Sequence, residues 1–180
     1  MAAFMALGTG CAYAQNADST PPKPTSEELR PSPEMQRLLN AFAGNWAVAE
    51  DFEISETRQG KTRRGTASFR KGPGFSLIED YRSSGSAGEL NFLGLLWWDQ
   101  KTHVYRFLTC ANNDGCGLRG TAKWEGNELV NSWEENADGK RAVFKDSFVD
   151  ISGSSFRLVS EGSSDGKTIW RVITKYTRLK

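Results

Sequence analysis

Residues 32–54, SPEMQRLLNAFAGNWAVAEDFEI, change their hydrophobic period halfway, and this change predicts a short helix followed directly by a β-strand. Ser32 can accept a hydrogen bond from the first helical turn, and Pro33 suits a first helical position, where no backbone N–H is needed. Apolar residues then recur at helical spacing, at Met35, Leu38, Leu39 and Phe42. Gly44 is expected to end the helix, because glycine freely adopts the left-handed exit conformation. The helix would therefore present one apolar face, with which Leu38, Leu39 and Phe42 could close one end of the fold.

From Trp46 onward, apolar residues alternate with polar or small ones, as in a β-strand with one buried face. That face carries Trp46, Val48, Phe52 and Ile54. Glu50 shares this face and interrupts it. Either the strand borders a polar interior, or a β-bulge turns Glu50 outward.

The rest of the chain alternates between short strands and turns. Turn signals rich in Gly, Asn, Asp and Ser recur at regular intervals between Gln59 and Gly166. About ten strands follow the helix, and no interval is long enough for the crossover that parallel neighbours need. Because a flat sheet of this size would leave two long edges, the sequence predicts an all-β fold, an up-and-down antiparallel β-barrel preceded by one short α-helix.

Three segments are predicted along the chain. Residues 1–14 resemble a truncated export signal, with Ala12-Tyr13-Ala14 as a small-x-small cleavage pattern. The basic start of such a signal is missing, so either the chain begins further upstream or the terminus is an Ala-rich disordered segment; lipid attachment at Cys11 is a third reading. Residues 15–31 are polar and Pro-rich and are expected to form a disordered tether. Residues 32–180 would then be the barrel domain.

Composition and cysteine placement narrow the possible partners and the compartment. The 180-residue chain has a formal net charge of +1, which argues against nucleic acid, because such binding normally needs a basic patch. No apolar run approaches the roughly 20 residues of a membrane-spanning helix. Export would place the protein in the periplasm or outside the cell, where disulfides form. Cys110 and Cys116 flank a predicted hairpin loop and are therefore expected to be bonded.

Most predicted strands have one face that is richer in aromatic residues, and this face is expected to point into the barrel. Polar residues interrupt it at several positions. Aromatic walls with a few polar groups are typical of small-molecule pockets. The candidate ligand-binding residues are Glu50, Glu79, Tyr81, Tyr105, Phe107, Asn131, Trp133, Asp146 and Trp170. Any one of these acids would instead face solvent if its strand were shifted by one residue.

The chain resembles the calycin superfamily, which includes lipocalins and fatty-acid-binding proteins. The resemblance is carried by the helix, by Gly44-x-Trp46 at the start of the first strand, and by Arg178 near the end of the last. More narrowly, residues 35–180 resemble a bacterial family of exported, lipocalin-like proteins of unknown function; the further matching features are Leu39, Gly94 to Asp99, the Tyr105 strand, Gly120 and Tyr176-x-Arg178. The resemblance implies that Trp46 closes one end of the barrel under the Arg178 guanidinium. It implies no activity.

The leading hypothesis is a non-enzymatic protein that binds a small, partly apolar molecule in the barrel interior, without a cofactor or a metal. The alternative is a small isomerase or hydrolase in which Glu79, Asp146 and Tyr105 transfer protons. A structural or interaction module with Leu93, Leu95 and Trp97 on the outer face is a third possibility. His103 is the single histidine, and a zinc site needs three or four ligands. It is expected in a surface turn. The sequence leaves the oligomeric state open.

Overall fold

The computed structural model describes residues 30–137 and 140–180. The predicted export signal, residues 1–14, and almost all of the predicted tether, residues 15–31, lie outside the described residues. Within the described part of the chain, no helix is long and apolar enough to cross a membrane.

One helix and ten strands follow each other along the described chain. The helix α1 spans Pro33–Phe42, and a short 3-10 turn, Pro73–Phe75, lies between the second and third strands. The strands are β1 Gly44–Ile54, β2 Thr62–Lys71, β3 Leu77–Gly85, β4 Gly88–Asp99, β5 Val104–Ala111, β6 Gly115–Glu125, β7 Glu128–Ala137, β8 Lys140–Val149, β9 Ser155–Ser164 and β10 Lys167–Arg178.

The ten strands form a closed antiparallel barrel. Each strand pairs with its neighbours in the chain, and β1 also pairs with β10, so the sheet has no free edge. The closing register sets Trp46 opposite Arg178 and Val48 opposite Tyr176. The predicted fold class is therefore confirmed.

The helix packs its apolar face against one end of the barrel. Ser32 Oγ accepts a hydrogen bond from the Met35 backbone N–H at 3.2 Å, as an N-cap does. Met35, Leu38 and Phe42 are buried. Leu39, which was expected to share this role, is only partly buried. It lies beside the buried row rather than within it.

Gly44 has a different role from the one that the sequence suggested. The residue after the last helical residue is Ala43, in an extended conformation (φ −56°, ψ 130°), so the chain leaves the helix without a left-handed residue at that position. Gly44 follows as the first residue of β1 with a φ of 139°. A Cβ atom there would lie 2.2 Å from Arg178 Nη1. Glycine is required because it allows both this backbone conformation and the arginine contact.

Arg178 links the helix, the first strand and the last strand. Its guanidinium lies over the Trp46 indole, with Cζ 4.1 Å from the ring centroid, and Nη1 donates a hydrogen bond to the Ala43 carbonyl at 2.9 Å. Trp46 Nε1 in turn donates to the Phe42 carbonyl at 2.9 Å. Arg178 thus satisfies the Ala43 carbonyl, directly after α1, while covering an aromatic face.

Aromatic side chains fill the helix-side half of the barrel. The Phe156 ring packs edge-on against Phe42 and Trp46, with centroid distances of 5.1 and 4.8 Å, and stacks on Tyr176 at 4.2 Å. At the opposite end, a disulfide joins Cys110 on β5 to Cys116 on β6, which face each other across the strand pair. The space inside the barrel is therefore confined to the half away from α1.

Candidate functional site

The half of the barrel away from α1 contains a cavity of about 550 Å³. Its lining includes Asn113 and Asp114, which are exposed in the turn between β5 and β6, so the cavity reaches the surface at this end. Small-molecule sites commonly have volumes of about 300–1,000 Å³. This cavity is the candidate site.

Aromatic rings form much of the cavity wall. Trp133 stacks on Phe144 with centroids 5.2 Å apart, and Tyr81 stacks on Phe92 at 4.6 Å. Phe107 and Trp170 also belong to the lining. These rings give the site flat apolar surfaces.

Gly162 provides room for two of the cavity's rings. It lies opposite Phe144 on β8 and Trp170 on β10. A Cβ atom at this position would lie 3.0 Å from the Phe144 ring and 3.6 Å from the Trp170 ring. The absence of a side chain thus lets both rings occupy the wall.

Glu50 is the centre of a buried polar cluster. Arg63 Nε and Nη2 donate hydrogen bonds to Glu50 Oε2 at 2.9 and 2.5 Å. The hydroxyl groups of Tyr81 and Ser83 donate to Oε1, that of Ser83 at 2.7 Å. Both carboxylate oxygens are therefore satisfied by side chains from β2 and β3. The charge is paired and hydrogen-bonded, as burial of a carboxylate requires.

The register of β1 decides between the two sequence interpretations of Glu50. Pairing with β10 is regular from Trp46 through Phe52 and shifts only between Phe52 and Ile54. Glu50 therefore points into a polar interior, and the bulge lies beyond it. The same shift explains why Ile54, which was expected on the inner face, is exposed.

Glu79 is buried, with 3% of its surface exposed, and within the described residues its Oε1 has no hydrogen-bond partner. Burial raises the pKa of this carboxyl to about 8; the nearby Asp146 adds to the rise, and the Tyr176 hydroxyl opposes it. Across the strand pair lies Gly94, where a Cβ atom would come within 3.3 Å of Glu79 Oε2. A glycine at this position therefore leaves space for the acid.

Asp146 belongs to the same lining but lies on a distant strand, β8. Burial raises the pKa of its carboxyl to about 6, while the Ser160 hydroxyl and the charge of Arg119 lower it. Asn131 faces Asp146 from β7 and is 2% exposed. Within the described chain, neither polar atom of the Asn131 amide has a hydrogen-bond partner. Two acids with raised pKa values therefore meet in one cavity, next to an unbonded amide.

The structure brings seven of the nine sequence-predicted residues into the cavity lining. These are Glu50, Glu79, Tyr81, Phe107, Trp133, Asp146 and Trp170. Whether these residues bind a ligand stays a prediction. Asn131 is buried, but it is not among the lining residues.

Tyr105 lies at the helix end of the barrel, and not in the cavity where it was predicted to transfer protons with Glu79 and Asp146. Its side chain points inward, but its hydroxyl donates to the Glu34 carbonyl of α1 at 2.8 Å and accepts from Trp124 Nε1 at 3.1 Å. The structure therefore brings Glu79 and Asp146 together but does not add Tyr105 to them. The sequence alternation showed the face on which Tyr105 lies and not its level along the barrel axis.

The sequence analysis did not predict two cationic side chains of the site, Arg63 and Arg119. Arg63 is inward, on the face that also carries Ala67 and Phe69, so the period-two pattern of β2 could have revealed it. Arg119 lies within a register shift between β5 and β6, which breaks the alternation on which such an inference depends.

The described residues contain no group of three or more His, Cys, Asp or Glu side chains that could hold a metal ion. His103 lies in the exposed turn before β5 with a φ of 52°, and its ring is 6.1 Å from that of Trp98.

No protein-family model matches the chain, and no curated protein matches it. Among solved structures, the chain is similar to a de novo designed fluorescence-activating β-barrel, with 17% identity, a TM-score of 0.43 and coverage of 77% of this chain and 94% of that one. It is also similar to a redesigned β-barrel bound to DFHBI, with 15% identity, a TM-score of 0.43 and coverage of 76% and 97%. A third structure, also bound to DFHBI, has 14% identity, a TM-score of 0.44 and coverage of 81% and 99%.

Proposed function

We propose that this protein binds a small, partly apolar molecule in the barrel cavity. The observation that carries the proposal is a cavity of about 550 Å³ that reaches the surface and is lined by aromatic rings with a few buried polar groups. The helix-side half of the barrel is packed with aromatic residues, so a ligand would enter from the end that carries the β5–β6 turn. No catalytic step is part of this proposal.

We also propose that the protein is exported and that its barrel is calycin-like. The Cys110–Cys116 disulfide supports export, because such bonds persist in oxidising compartments. The Trp46–Arg178 contact supports the calycin-like assignment. Fractionation of expressing cells, with the thiol state of Cys110 and Cys116 measured by alkylation, tests the location. Recovery of the protein in the reduced state from the cytosol would contradict it.

Binding is tested with the protein's own tryptophans. Trp133 and Trp170 line the cavity, whereas Trp46 and Trp124 lie at the helix end. Titration with an environment-sensitive naphthalene dye should raise the dye emission and quench tryptophan emission in the wild type. The Trp133→Phe/Trp170→Phe variant should lose most of this quenching while still binding the dye, and Trp124→Phe serves as the matched control. Absence of dye binding, together with no ligand found by native mass spectrometry, would overturn the proposal.

A second candidate is general acid–base catalysis by Glu79 and Asp146. Two acids with raised pKa values in one cavity are the arrangement that favours it, since such values suit proton transfer near neutral pH. The assay is exchange of the acidic α-protons of small ketones in D₂O, together with hydrolysis of chromogenic esters. Activity that Asp146→Asn abolishes would support catalysis. If the wild type and Asp146→Asn had equal rates, acid–base catalysis by this pair would be excluded for these reactions.

A further inference from the structure

The charged groups of the cavity are unevenly paired. Its described lining contains five carboxyl groups, on Glu50, Glu79, Asp114, Glu135 and Asp146, and two guanidinium groups, on Arg63 and Arg119. Both guanidinium groups already have partners. Arg63 pairs with Glu50, and Arg119 pairs with Asp114 and, at 2.6 Å, with Glu135. Within the described chain, the deep acids Glu79 and Asp146 are left without a salt bridge.

Unbonded polar atoms lie in the same region. Glu79 Oε1 and both polar atoms of Asn131 are buried without a hydrogen-bond partner among the described residues. Buried polar groups in folded proteins almost always have partners, and leaving one unpaired is costly. A ligand that donates hydrogen bonds at this place would satisfy the carboxyl oxygen. A carboxylate ligand would supply only acceptors and would add a like charge.

We propose, on the basis of the binding function above, that the ligand carries a basic nitrogen whose cationic group docks between Glu79 and Asp146. Its apolar body lies against the rings of Trp133, Phe144 and Trp170, whose faces also attract a cation passing over them. The site thereby discriminates against fatty acids and other organic anions. The class of ligand is an aromatic or cyclic amine.

Proton release should accompany this binding. Burial raises the pKa of both acids, so the pair retains a proton at neutral pH that an arriving ammonium group would displace. The polar and charged groups around the pair are Tyr81 on β3, Tyr176 on β10, Asn131 on β7, Ser160 on β9, Arg119 on β6 and the Glu50–Arg63 pair on β1 and β2. Since both arginines are already paired with carboxylates, the two acids are the groups expected to respond.

The test uses three probes with one aromatic body. Calorimetric titration compares 1-naphthylmethylamine, 1-naphthalenemethanol and 1-naphthylacetic acid against the full chain near neutral pH, in two buffers that differ in ionisation enthalpy. The variants are Glu79→Gln and Asp146→Asn, which keep the shape of the side chains. The control is Glu128→Gln, which makes the same Glu-to-Gln change at an exposed acid at the helix end, away from the cavity.

We expect the amine to bind at least about tenfold more tightly than the alcohol or the acid, with release of a fraction of a proton. Either acid variant should lose this preference while its affinity for the alcohol changes by less than about twofold, and the control should behave as the wild type. Equal or tighter binding of the acid, or an amine affinity unchanged in both variants, would overturn the inference and leave the binding function intact. If none of the three probes binds and the naphthalene dye does not either, the binding function itself fails.

Discussion

At the scale of single residues, Arg63 is the partner on which the burial of Glu50 depends. We expect Arg63→Met to lower the free energy of unfolding by about 3–5 kcal/mol, because it leaves a buried carboxylate without its counter-ion. The double variant Glu50→Gln/Arg63→Met should recover much of this loss, since no charge is then left unpaired. Urea denaturation followed by tryptophan fluorescence measures both.

The control is Arg82, whose ion pair with Asp80 lies on the outer surface. Such exposed pairs contribute about 0–1 kcal/mol, so Arg82→Met should change stability little. If Arg63→Met were as mild as Arg82→Met, Glu50 would not be charged and enclosed as described.

Glu79 makes a pH-dependent contribution to stability. In the folded protein it titrates near 8, whereas an ordinary glutamate titrates near 4.5. Between these values the folded state holds a proton that the unfolded state has lost, so the contribution is fully present below about 4.5 and is lost as the pH rises to about 8. Since one pKa unit corresponds to about 1.4 kcal/mol, the loss amounts to a few kcal/mol.

Denaturation at a series of pH values, with Glu79→Gln beside the wild type, measures this effect. The stability of the variant relative to the wild type should increase as the pH rises from about 5 to about 8.5, because glutamine has no proton to lose. Glu128→Gln, which alters an exposed acid, should run parallel to the wild type. A constant difference between Glu79→Gln and the wild type would show that Glu79 titrates normally.

Along the regular stretches of strand, alternation was enough to identify which residues face the interior, because side chains on a strand change face at every position. It placed Glu50, Glu79 and Asp146 correctly on inner faces. It could not set their height, which depends on strand tilt and on where bulges fall. Tyr105 therefore ended at the helix rather than in the cavity, and Ile54 turned outward after a register shift.

At the scale of elements, α1 stabilises the barrel through one row of side chains. Leu38 is fully buried, whereas its neighbour Leu39 is only partly buried. Leu38→Ala should therefore cost about 2–5 kcal/mol of unfolding free energy, the range for a buried leucine, and Leu39→Ala clearly less. Thermal melts of the two variants make a matched comparison, since the residue types are identical. Equal losses would mean that the helix sits on the barrel with a different face.

The start of this helix could be predicted from its sequence, whereas the conformation in which the chain leaves it could not. Ser32 and Pro33 have the same roles in the structure as in the sequence, because capping depends on neighbours only a few residues away. The role of Gly44 depends on Arg178 at the other end of the chain, whose guanidinium occupies the place of a Cβ atom. A pattern of neighbouring residues cannot predict a contact between two residues so far apart in the sequence.

For the whole barrel, closure could be predicted from the number of strands and from the cost of free sheet edges. The presence of a cavity inside it could not be predicted in this way. A barrel of this size can be filled by side chains or can hold a ligand, depending on how large and small residues are distributed between its two halves. Here the aromatic rings of Phe42, Trp46 and Phe156 gather at the helix end. Glycines at positions 94 and 162 leave room in the other half. The sequence contains these residues, but the strand register decides which of them lie at the same position along the barrel axis.

If the cavity is the binding site, occupying it with a side chain should remove binding without loss of the fold. Leu158 on β9 lines the cavity, so Leu158→Trp places an indole in space that is otherwise empty. We expect an unchanged or higher melting temperature, because apolar surface is buried, and at least about a tenfold weaker affinity for a naphthalene dye. Leu93→Trp, at an exposed position on the outer face of β4, is the matched control and should bind the dye as the wild type does. A folded Leu158→Trp variant with wild-type dye affinity would place binding outside the barrel.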